Sequence, residues 1–155
     1  MPIRYAELMG EITGLPALPV AEMGPPVLRP LGKPLREARV MIVTSAGVHL
    51  DTQPPFNHPN DMTFRRIPHA TPPEHLRPSH PTPVRRPGEQ DINVVFPYQR
   101  LEELAAEGFI GSVAEYHLSL LGSIKLLRQL VTDLAPRMAA DARAAGVDLA
   151  LHTPL

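Results

Sequence analysis

Residues 38–45, ARVMIVTS, decide the fold that the sequence predicts. The run is short, apolar and rich in β-branched side chains, which is typical of a strand covered on both faces, and Gly47 then breaks it. Two further runs are predicted as strands: DINVVF at 91–96 and VDLALH at 147–152. Because helical patterns separate the last two, we expect all three strands in one parallel sheet with crossover helices.

Helical patterns occupy most of the chain after the second of these runs. Residues 99–107 are predicted as a helix that Gly108 ends, and residues 114–121 as another helix. Pro136 should kink the last helix and Gly146 should cap it. The predicted class is therefore α/β, a three-layer domain with a mostly parallel sheet. The last helix is identified by apolar residues at helical spacing: Ile124, Leu127, Val131, Leu134 and Met138.

Proline divides the rest of the chain. Of the 20 prolines, seven precede Glu37 and ten lie within residues 51–90. We expect a proline-rich arm at 1–36 that makes few contacts with the sheet, followed by an α/β domain at 37–155. That domain ends directly after a strand, which would be unusual for a complete domain. Residues 51–90 are predicted as a long, histidine-rich loop with one short strand at 62–67, MTFRRI.

Composition excludes several classes of protein. The chain has no cysteine, which excludes a disulfide framework, a thiolate metal site and thiol chemistry by its own side chains. The net charge is −1, and no dense basic stripe is present, so we expect no nucleic-acid partner. No apolar run is long enough to span a membrane, and the start, MPIRYAELMG, lacks the apolar core of a signal peptide. We therefore expect no membrane contact and a cytoplasmic protein.

Candidate site residues cluster at the predicted carboxyl ends of the strands, where chemistry gathers in parallel sheets. Thr44, Ser45 and His49 follow the first strand, and the turn that they form could bind an anion through backbone N–H groups. The alternative is a polar turn that only closes a buried strand.

Charged and amide side chains supply further candidates. Asp61 and Arg65 could hold a carboxylate, with Arg65 as a bidentate clamp, although an internal ion pair that pins the loop is slightly favoured. Asn93 opens the second predicted strand, where its side chain could anchor the preceding loop. Arg100 lies where a helix begins and works against the helix dipole, which indicates an acidic partner or a ligand; simple solvent exposure is the alternative.

Histidines within residues 51–90 are the remaining candidates. Neutral imidazole is a common metal ligand, but no spacing such as HExxH is present. We therefore predict no metal site, and a histidine-metal hydrolase is the weakest alternative. His80 is singled out because Pro78 and Pro81 stiffen its backbone. The four histidines are His58, His69, His75 and His80.

Three runs, in this order, resemble the selenoprotein B family: VMIVTSAGVHLDTQPPFN, DMTFRRIP and DINVVFPYQRLEELAAEGFIG. That family includes component B of the glycine, sarcosine and betaine reductases and the D-proline reductase subunit, and the resemblance covers roughly residues 38–155. Its members reductively cleave a carbon–nitrogen bond, with a dithiol as electron donor. In the family, the strand corresponding to VDLALHTPL runs into a cysteine or selenocysteine motif that holds the nucleophile, whereas this sequence stops at Leu155.

The resemblance implies a subunit or fragment of a reductase-like oxidoreductase without its redox cysteine, acting on a small amine-bearing acid. It implies no cofactor bound by this chain; a partner would carry a pyruvoyl-type carbonyl group and the thiol or selenol. Other reductase subunits or a second copy of the chain are the implied partners. The alternative is a non-catalytic binding or regulatory module of the same fold. The implied pocket has catalytic His49, Asp61, Arg65 and His80 and substrate-binding Thr44, Ser45, Asn93 and Arg100.

Overall fold

The computed structural model describes residues 29–83 and 85–155, and the fold below belongs to the compact unit of residues 31–155. The predicted arm at 1–36 lies mostly outside the described residues and stays a prediction. Within the described part, Leu35–Glu37 form a single 3-10 turn that leads into the first strand.

Seven strands are present in the described residues, and five of them form one sheet. The central strand pairs in parallel with the last strand on one side and with two consecutive short strands on the other. An antiparallel strand closes the far edge, and two more strands form a separate antiparallel pair. The strands are β1 (Arg39–Thr44), β2 (Val48–Leu50), β3 (Phe64–Pro68), β4 (Leu76–Pro78), β5 (Ser112–Val113), β6 (Tyr116–Leu120) and β7 (Leu149–Thr153).

The order across the main sheet is β3, β6 with β5, β1 and β7. The prediction of a mostly parallel α/β sheet is therefore confirmed, as is the pairing of the strands predicted at 38–45 and 147–152. The small second sheet joins β2 to β4 and lies next to the point where β1 ends.

Helices α1 (Arg85–Gln90) and α2 (Tyr98–Ala106) follow β4. The third helix, α3, begins as an α-turn at Leu127–Gln129, widens to a π-helix at Leu130–Leu134 and continues as an α-helix at Ala135–Ala144. The π segment lies directly before Pro136, whose ring cannot accommodate the carbonyl four residues earlier and whose nitrogen has no hydrogen to donate. The expected kink thus takes the form of a wider turn, and Gly146 ends the helix with a positive φ of 67°.

The sheet separates two apolar cores. Val40 and Ile42 of β1 face one core, which contains Leu101 of α2. Met41 faces the other core, which contains Met138 of α3. Alternation along β1 therefore places α2 on one face of the sheet and α3 on the other, as a strand buried on both faces requires.

Two predicted elements are wrong. Residues 91–96 do not form a strand: Ile92–Val94 form a 3-10 turn, because the Asp91 carboxylate accepts the Asn93 backbone N–H at 2.9 Å and caps it. Residues 114–121 are not a helix but contain β6, since pairing with both β1 and β3 overrides their helical propensity. The short strand predicted at 62–67 is present as β3, and the predicted loop at 51–90 otherwise has more regular structure than expected, namely β4, α1 and a 3-10 turn at Pro73–His75.

Candidate functional site

Ser45 joins three chain segments where β1 ends. Its backbone N–H donates to the Thr153 carbonyl at 3.1 Å, and its carbonyl accepts the Gly122 N–H at 2.7 Å. Its Oγ accepts the Leu155 N–H at 3.0 Å. The exits of β6 and β7 are thereby fixed against the end of β1, which places the strand ends in one cluster as the parallel topology predicts.

The turn after β1 offers no open backbone donors. The N–H of Ser45 is bonded to Thr153, that of Ala46 to Thr44 Oγ1 at 3.2 Å, and that of Gly47 to the Leu120 carbonyl at 3.0 Å. The hypothesis that these N–H groups bind an anion is therefore corrected, because each is already satisfied within the protein. Thr44 Oγ1 donates to the Val95 carbonyl at 2.8 Å, so Thr44 also acts as a structural link.

His80 lies beside this turn and is 1% exposed. Its backbone N–H donates to the Ala46 carbonyl, and its ring Nδ1 accepts the Thr82 N–H at 3.4 Å. The proton of the neutral ring is therefore on Nε2, which points at Ser123 Oγ at 3.4 Å. Burial, and secondarily the charge of His58, lower the pKa of His80 below its usual value. The site thus holds a neutral imidazole with a weakly engaged N–H.

Gly122 and Ser123 belong to this cluster, although the sequence did not single them out. A Cβ at Gly122 would lie 2.9 Å from His80 Nε2 and 3.1 Å from the Ser45 carbonyl, so only glycine leaves room for the ring. Ser123 has a φ of 61°, a conformation that non-glycine residues rarely adopt and that is often associated with function. The sequence signal was the Leu-Gly-Ser break directly after β6.

His49 and Arg65 both contact Phe56. The His49 ring meets the Phe56 ring edge-on with centroids 6.4 Å apart, and the Arg65 guanidinium carbon lies 4.4 Å from the Phe56 ring centre. His49 Nδ1 donates to the Gly47 carbonyl at 3.2 Å, which leaves Nε2 of the neutral ring as an acceptor. Gly47 and Ala46 are consecutive, so neighbouring carbonyls hold His49 and His80.

Asp61 and Arg65 do not form the ion pair that was slightly favoured from the sequence. Arg65 Nη1 donates to Thr63 Oγ1 at 2.6 Å, and Thr63 Oγ1 donates in turn to the Asp61 carboxylate. Asp61 also accepts the Asn57 N–H at 2.8 Å. Burial acts to raise the pKa of Asp61, but the hydrogen bonds from Thr63 and Asn57 outweigh it and hold that pKa below its usual value. Asp61 therefore anchors the loop and orients Arg65 through Thr63.

Asn93 and Arg100 take structural roles in the contacts described. The Asn93 amide donates to the Asp91 carboxylate and, at 2.7 Å, to Gln99 Oε1. Arg100 is exposed on α2 and pairs with Glu103 at 2.9 Å. The solvent-exposed alternative thus fits Arg100 better than the substrate-binding role, and these two residues are not brought into contact with His80 or Arg65.

A buried chain of hydrogen bonds through His117 was missed by the sequence analysis. His117 is fully buried, and its Nδ1 accepts the Ile42 backbone N–H at 3.0 Å. Its Nε2 therefore carries the proton and donates to His69 Nδ1 at 3.1 Å, and His69 Nε2 donates to Glu102 at 3.1 Å. The pairing with β1 shifts by two residues between β5 and β6. At this break the His117 imidazole takes the place of a backbone carbonyl of the neighbouring strand as the acceptor for the Ile42 N–H.

The four loop histidines do not converge on a metal. His69 bonds to His117, His75 Nδ1 to the Asp51 carboxylate at 2.8 Å, and His80 to Thr82, while His58 is exposed. Residues 29–83 and 85–155 contain no group of three or more metal-ligating side chains. The described residues therefore give the histidine-metal hydrolase no support.

A broad depression of about 790 Å³ lies away from the strand-end cluster. Asp51, Pro68, Thr71 and His75 are among the residues that line it. None of the residues predicted for the site lines this depression, so its size does not identify the site.

Comparison with known proteins gives one similarity that bears on function. The chain is 33% identical over 129 residues to the D-proline reductase subunit gamma of Acetoanaerobium sticklandii. The match covers 83% of this chain and 53% of that protein, so the chain spans about half the length of the curated relative it matches. No protein-family model matches the sequence, and no solved structure matches it.

This similarity supports a relationship to a reductase family, which is the coarser form of the resemblance noted from the sequence. The name of that relative describes it as a subunit of a reductase. As for membranes, none of the helices in the described ranges is long and apolar enough to cross one. The expected cytoplasmic location stays a prediction.

Proposed function

We propose that this chain is the substrate-binding α/β part of a reductase-like oxidoreductase that cleaves the carbon–nitrogen bond of a small amine-bearing acid. The observation that carries the proposal is the similarity to D-proline reductase subunit gamma, which extends over 129 residues. The strand-end cluster around Ser45 and His80 supports it, because it lies where open α/β sheets bind ligands.

Arg65 is the proposed clamp for the substrate carboxylate. Phe56 and Thr63 hold the guanidinium from two sides, and only one of its terminal nitrogens is committed to Thr63. In the described part of the chain, Arg65 forms no direct ion pair, and the Asp61 carboxylate reaches it only through Thr63 Oγ1. A planar guanidinium that is held in place and has a terminal nitrogen to spare suits a carboxylate, which it can bind with two parallel hydrogen bonds.

His80 and His49 are the proposed proton carriers. Reductive cleavage breaks the carbon–nitrogen bond, adds one hydrogen to each of the two atoms and oxidises a dithiol to a disulfide. The Nε2–H of His80, which points at Ser123 Oγ, is the proposed donor to the departing nitrogen, and the unprotonated Nε2 of His49 is the proposed acceptor. Thr44 and Ser45 hold the strand ends that position both rings.

The electron pair must come from outside this sequence, since it contains no cysteine. Neither serine nor histidine can form the transient redox bond that a thiolate or selenolate forms. We therefore assign the thiol or selenol, and the pyruvoyl-type carbonyl group, to a partner. The same absence favours the alternative of a non-catalytic binding module, which would bind the acid without any partner that reduces it.

Calorimetry on the purified chain tests the binding step. D-proline, L-proline, glycine and betaine are titrated into the wild type, Arg65→Met and the matched control Arg100→Met. We expect weak binding of at least one amino acid, reduced about tenfold or more in Arg65→Met and unchanged in the control, because a carboxylate loses its charged partner. Equal affinity in both variants, or no binding by the wild type, would refute the clamp.

Amine or amino-acid release separates the reductase from the binding module. The chain is mixed with dithiothreitol and a cysteine- or selenocysteine-bearing reductase subunit, and cleavage of the bound acid is followed with time. Cleavage that requires both proteins supports the reductase. Binding that persists without cleavage in every combination favours the module instead.

A further inference from the structure

The two edges of the main sheet are built differently. The edge strand β3 contains Arg65, Arg66 and Pro68, and charged residues and proline are the usual means of blocking edge pairing. The opposite edge strand, β7, has the sequence LALHT and contains no Lys, Arg, Asp, Glu or Pro. In the described residues it pairs only with β1, and none of them pairs with its outer side.

Apolar side chains of β7 are exposed on the same face of the sheet as Val40 and Ile42 of β1. Leu149 is 40% exposed and Leu151 is 42% exposed. Their register partners on β1 are Val40 and Ile42, which are almost fully buried under α2 and its core. Parallel strands are normally covered on both faces, so β7 has the composition of an interior strand in an edge position.

The other face of β7 borders an apolar groove of about 460 Å³ beneath α3. Ala150 and His152 of β7 line it, and so does Val131 of α3, which is 68% exposed. Exposed apolar surface of this kind usually marks a contact with another polypeptide. The two faces and the outer edge together form one continuous surface, which we call the β7 surface.

We propose that the β7 surface binds an α/β polypeptide segment that adds a strand to the sheet beside β7 and lays a helix in the groove. This rests on the proposed function, because it assigns the segment to the same reductase. The match covers only 53% of the D-proline reductase subunit, so nearly half of that protein lies outside the matched region. A portion of that size can supply both a strand and its covering helices.

Charge indicates the chemistry of the incoming helix. Lys125 and Arg128 are exposed around the first turn of α3, where they line a separate depression, and neither is in an ion pair within the described residues. We expect acidic residues at the matching end of the partner helix, opposite these two cations. A second copy of this chain fits less well, because it would bring the same two cations to the contact.

Single-cysteine labelling tests the proposal, since a chain without cysteine can be labelled at one chosen position. The probe is the portion of the Acetoanaerobium sticklandii subunit that lies outside the match, co-expressed and co-purified with the labelled chain. A bimane label is placed on Ala150→Cys in the groove, and on Phe109→Cys as a control that is 58% exposed in the turn between α2 and β5. Sedimentation of the chain alone measures self-association, and the amino-acid titration above is repeated on the same material.

We expect co-purification, a blue shift of the label at 150 and none at 109. Leu151→Lys should weaken the association about tenfold or more, because it places a charge in an apolar contact, while Phe109→Lys should not. Failure to co-purify, equal binding by Leu151→Lys, or a dimer of the chain alone that Leu151→Lys disperses would each overturn the proposal. If the chain binds amino acids but does not associate with the added portion, only the proposal for the β7 surface is overturned. If it associates but binds no amino acid, the proposed function is overturned.

Discussion

Acidification should destabilise this protein through His117. Burial, and secondarily the charge of His69, lower the pKa of His117 to about 3 from an ordinary value of 6.5. The folded state therefore excludes a proton that the unfolded chain takes up below pH 6.5. Stability from this group is complete above pH 6.5 and is lost as the pH falls towards 3.

The size of the loss follows from that difference in pKa. Each unit of pH between 6.5 and about 3 removes up to about 1.4 kcal/mol from the free energy of unfolding. At pH 5 the loss through His117 alone should reach about 2 kcal/mol, a large fraction of the stability of a small domain. The main physical reason is that the charged ring would be buried away from water; in addition, a protonated Nδ1 can no longer accept the Ile42 N–H.

His117→Leu isolates this contribution. At pH 7.5 the variant should be less stable by about 1–3 kcal/mol, because the buried Ile42 N–H loses its acceptor. By pH 5 the deficit should shrink by about 2 kcal/mol, since leucine has nothing to titrate. Urea unfolding followed by circular dichroism at several pH values measures the difference, and the chain has no tryptophan to report by fluorescence.

His75→Asn provides a control of opposite sign. The hydrogen bond and charge of Asp51 raise the pKa of His75, so its stabilising effect is present at acid pH and is lost as the pH rises through the raised value. The deficit of this variant should therefore grow on acidification, whereas that of His117→Leu should shrink. A deficit in His117→Leu that stays constant from pH 7.5 to 5 would refute the reasoning.

Three further outcomes follow from the structure. Gly122→Ala should lower stability by about 1–3 kcal/mol through collision with His80, and more than Gly32→Ala, where a Cβ meets no atom within 4 Å, when both are compared by thermal melting. Asp141→Ala should lower the free energy of unfolding in urea by about 1.5–3 kcal/mol, because the nearly buried Asp141 carboxylate pairs with Arg66. The exposed pair of Asp133 with Arg137 should contribute less, so Asp133→Ala should lower it by under about 0.5 kcal/mol. The purified chain alone, assayed with dithiothreitol, should reduce neither D-proline nor glycine derivatives. Turnover above a heat-killed control would contradict the argument that the chain needs a thiol or selenol from a partner.

The central strands could be predicted because their composition permits few alternatives. Residues 38–45 and 147–152 are predominantly apolar runs rich in β-branched or leucine side chains, and they pair as expected in the sheet. Residues 91–96 have the same composition, but local hydrogen bonding from Asp91 caps a 3-10 turn instead. Composition alone cannot tell a strand from a capped turn. The cap depends on one side chain two residues away, whereas the strand depends on a partner strand elsewhere in the chain.

The sequence supplied candidate side chains for the site but not the contacts that hold them. The sequence placed His49, His80 and Arg65 near strand ends, and the structure ties them to Phe56 and to consecutive carbonyls. It could not show that Thr63 stands between Arg65 and Asp61, since four-residue spacing suits a direct pair equally well. His117 was missed because it lies in a run with helical propensity, and its partner Ile42 is 75 residues away.

The backbone, rather than neighbouring charges, sets the tautomers of the two proposed proton carriers. The Gly47 carbonyl can only accept, so neutral His49 carries its proton on Nδ1; the Thr82 N–H can only donate, so neutral His80 carries its proton on Nε2. One ring therefore presents an acceptor and the other a donor without any prior proton exchange. Because neither assignment involves a thiol, this arrangement does not depend on where the electron pair originates. A partner that supplies the thiol or selenol would meet a site whose proton donor and acceptor are already in place.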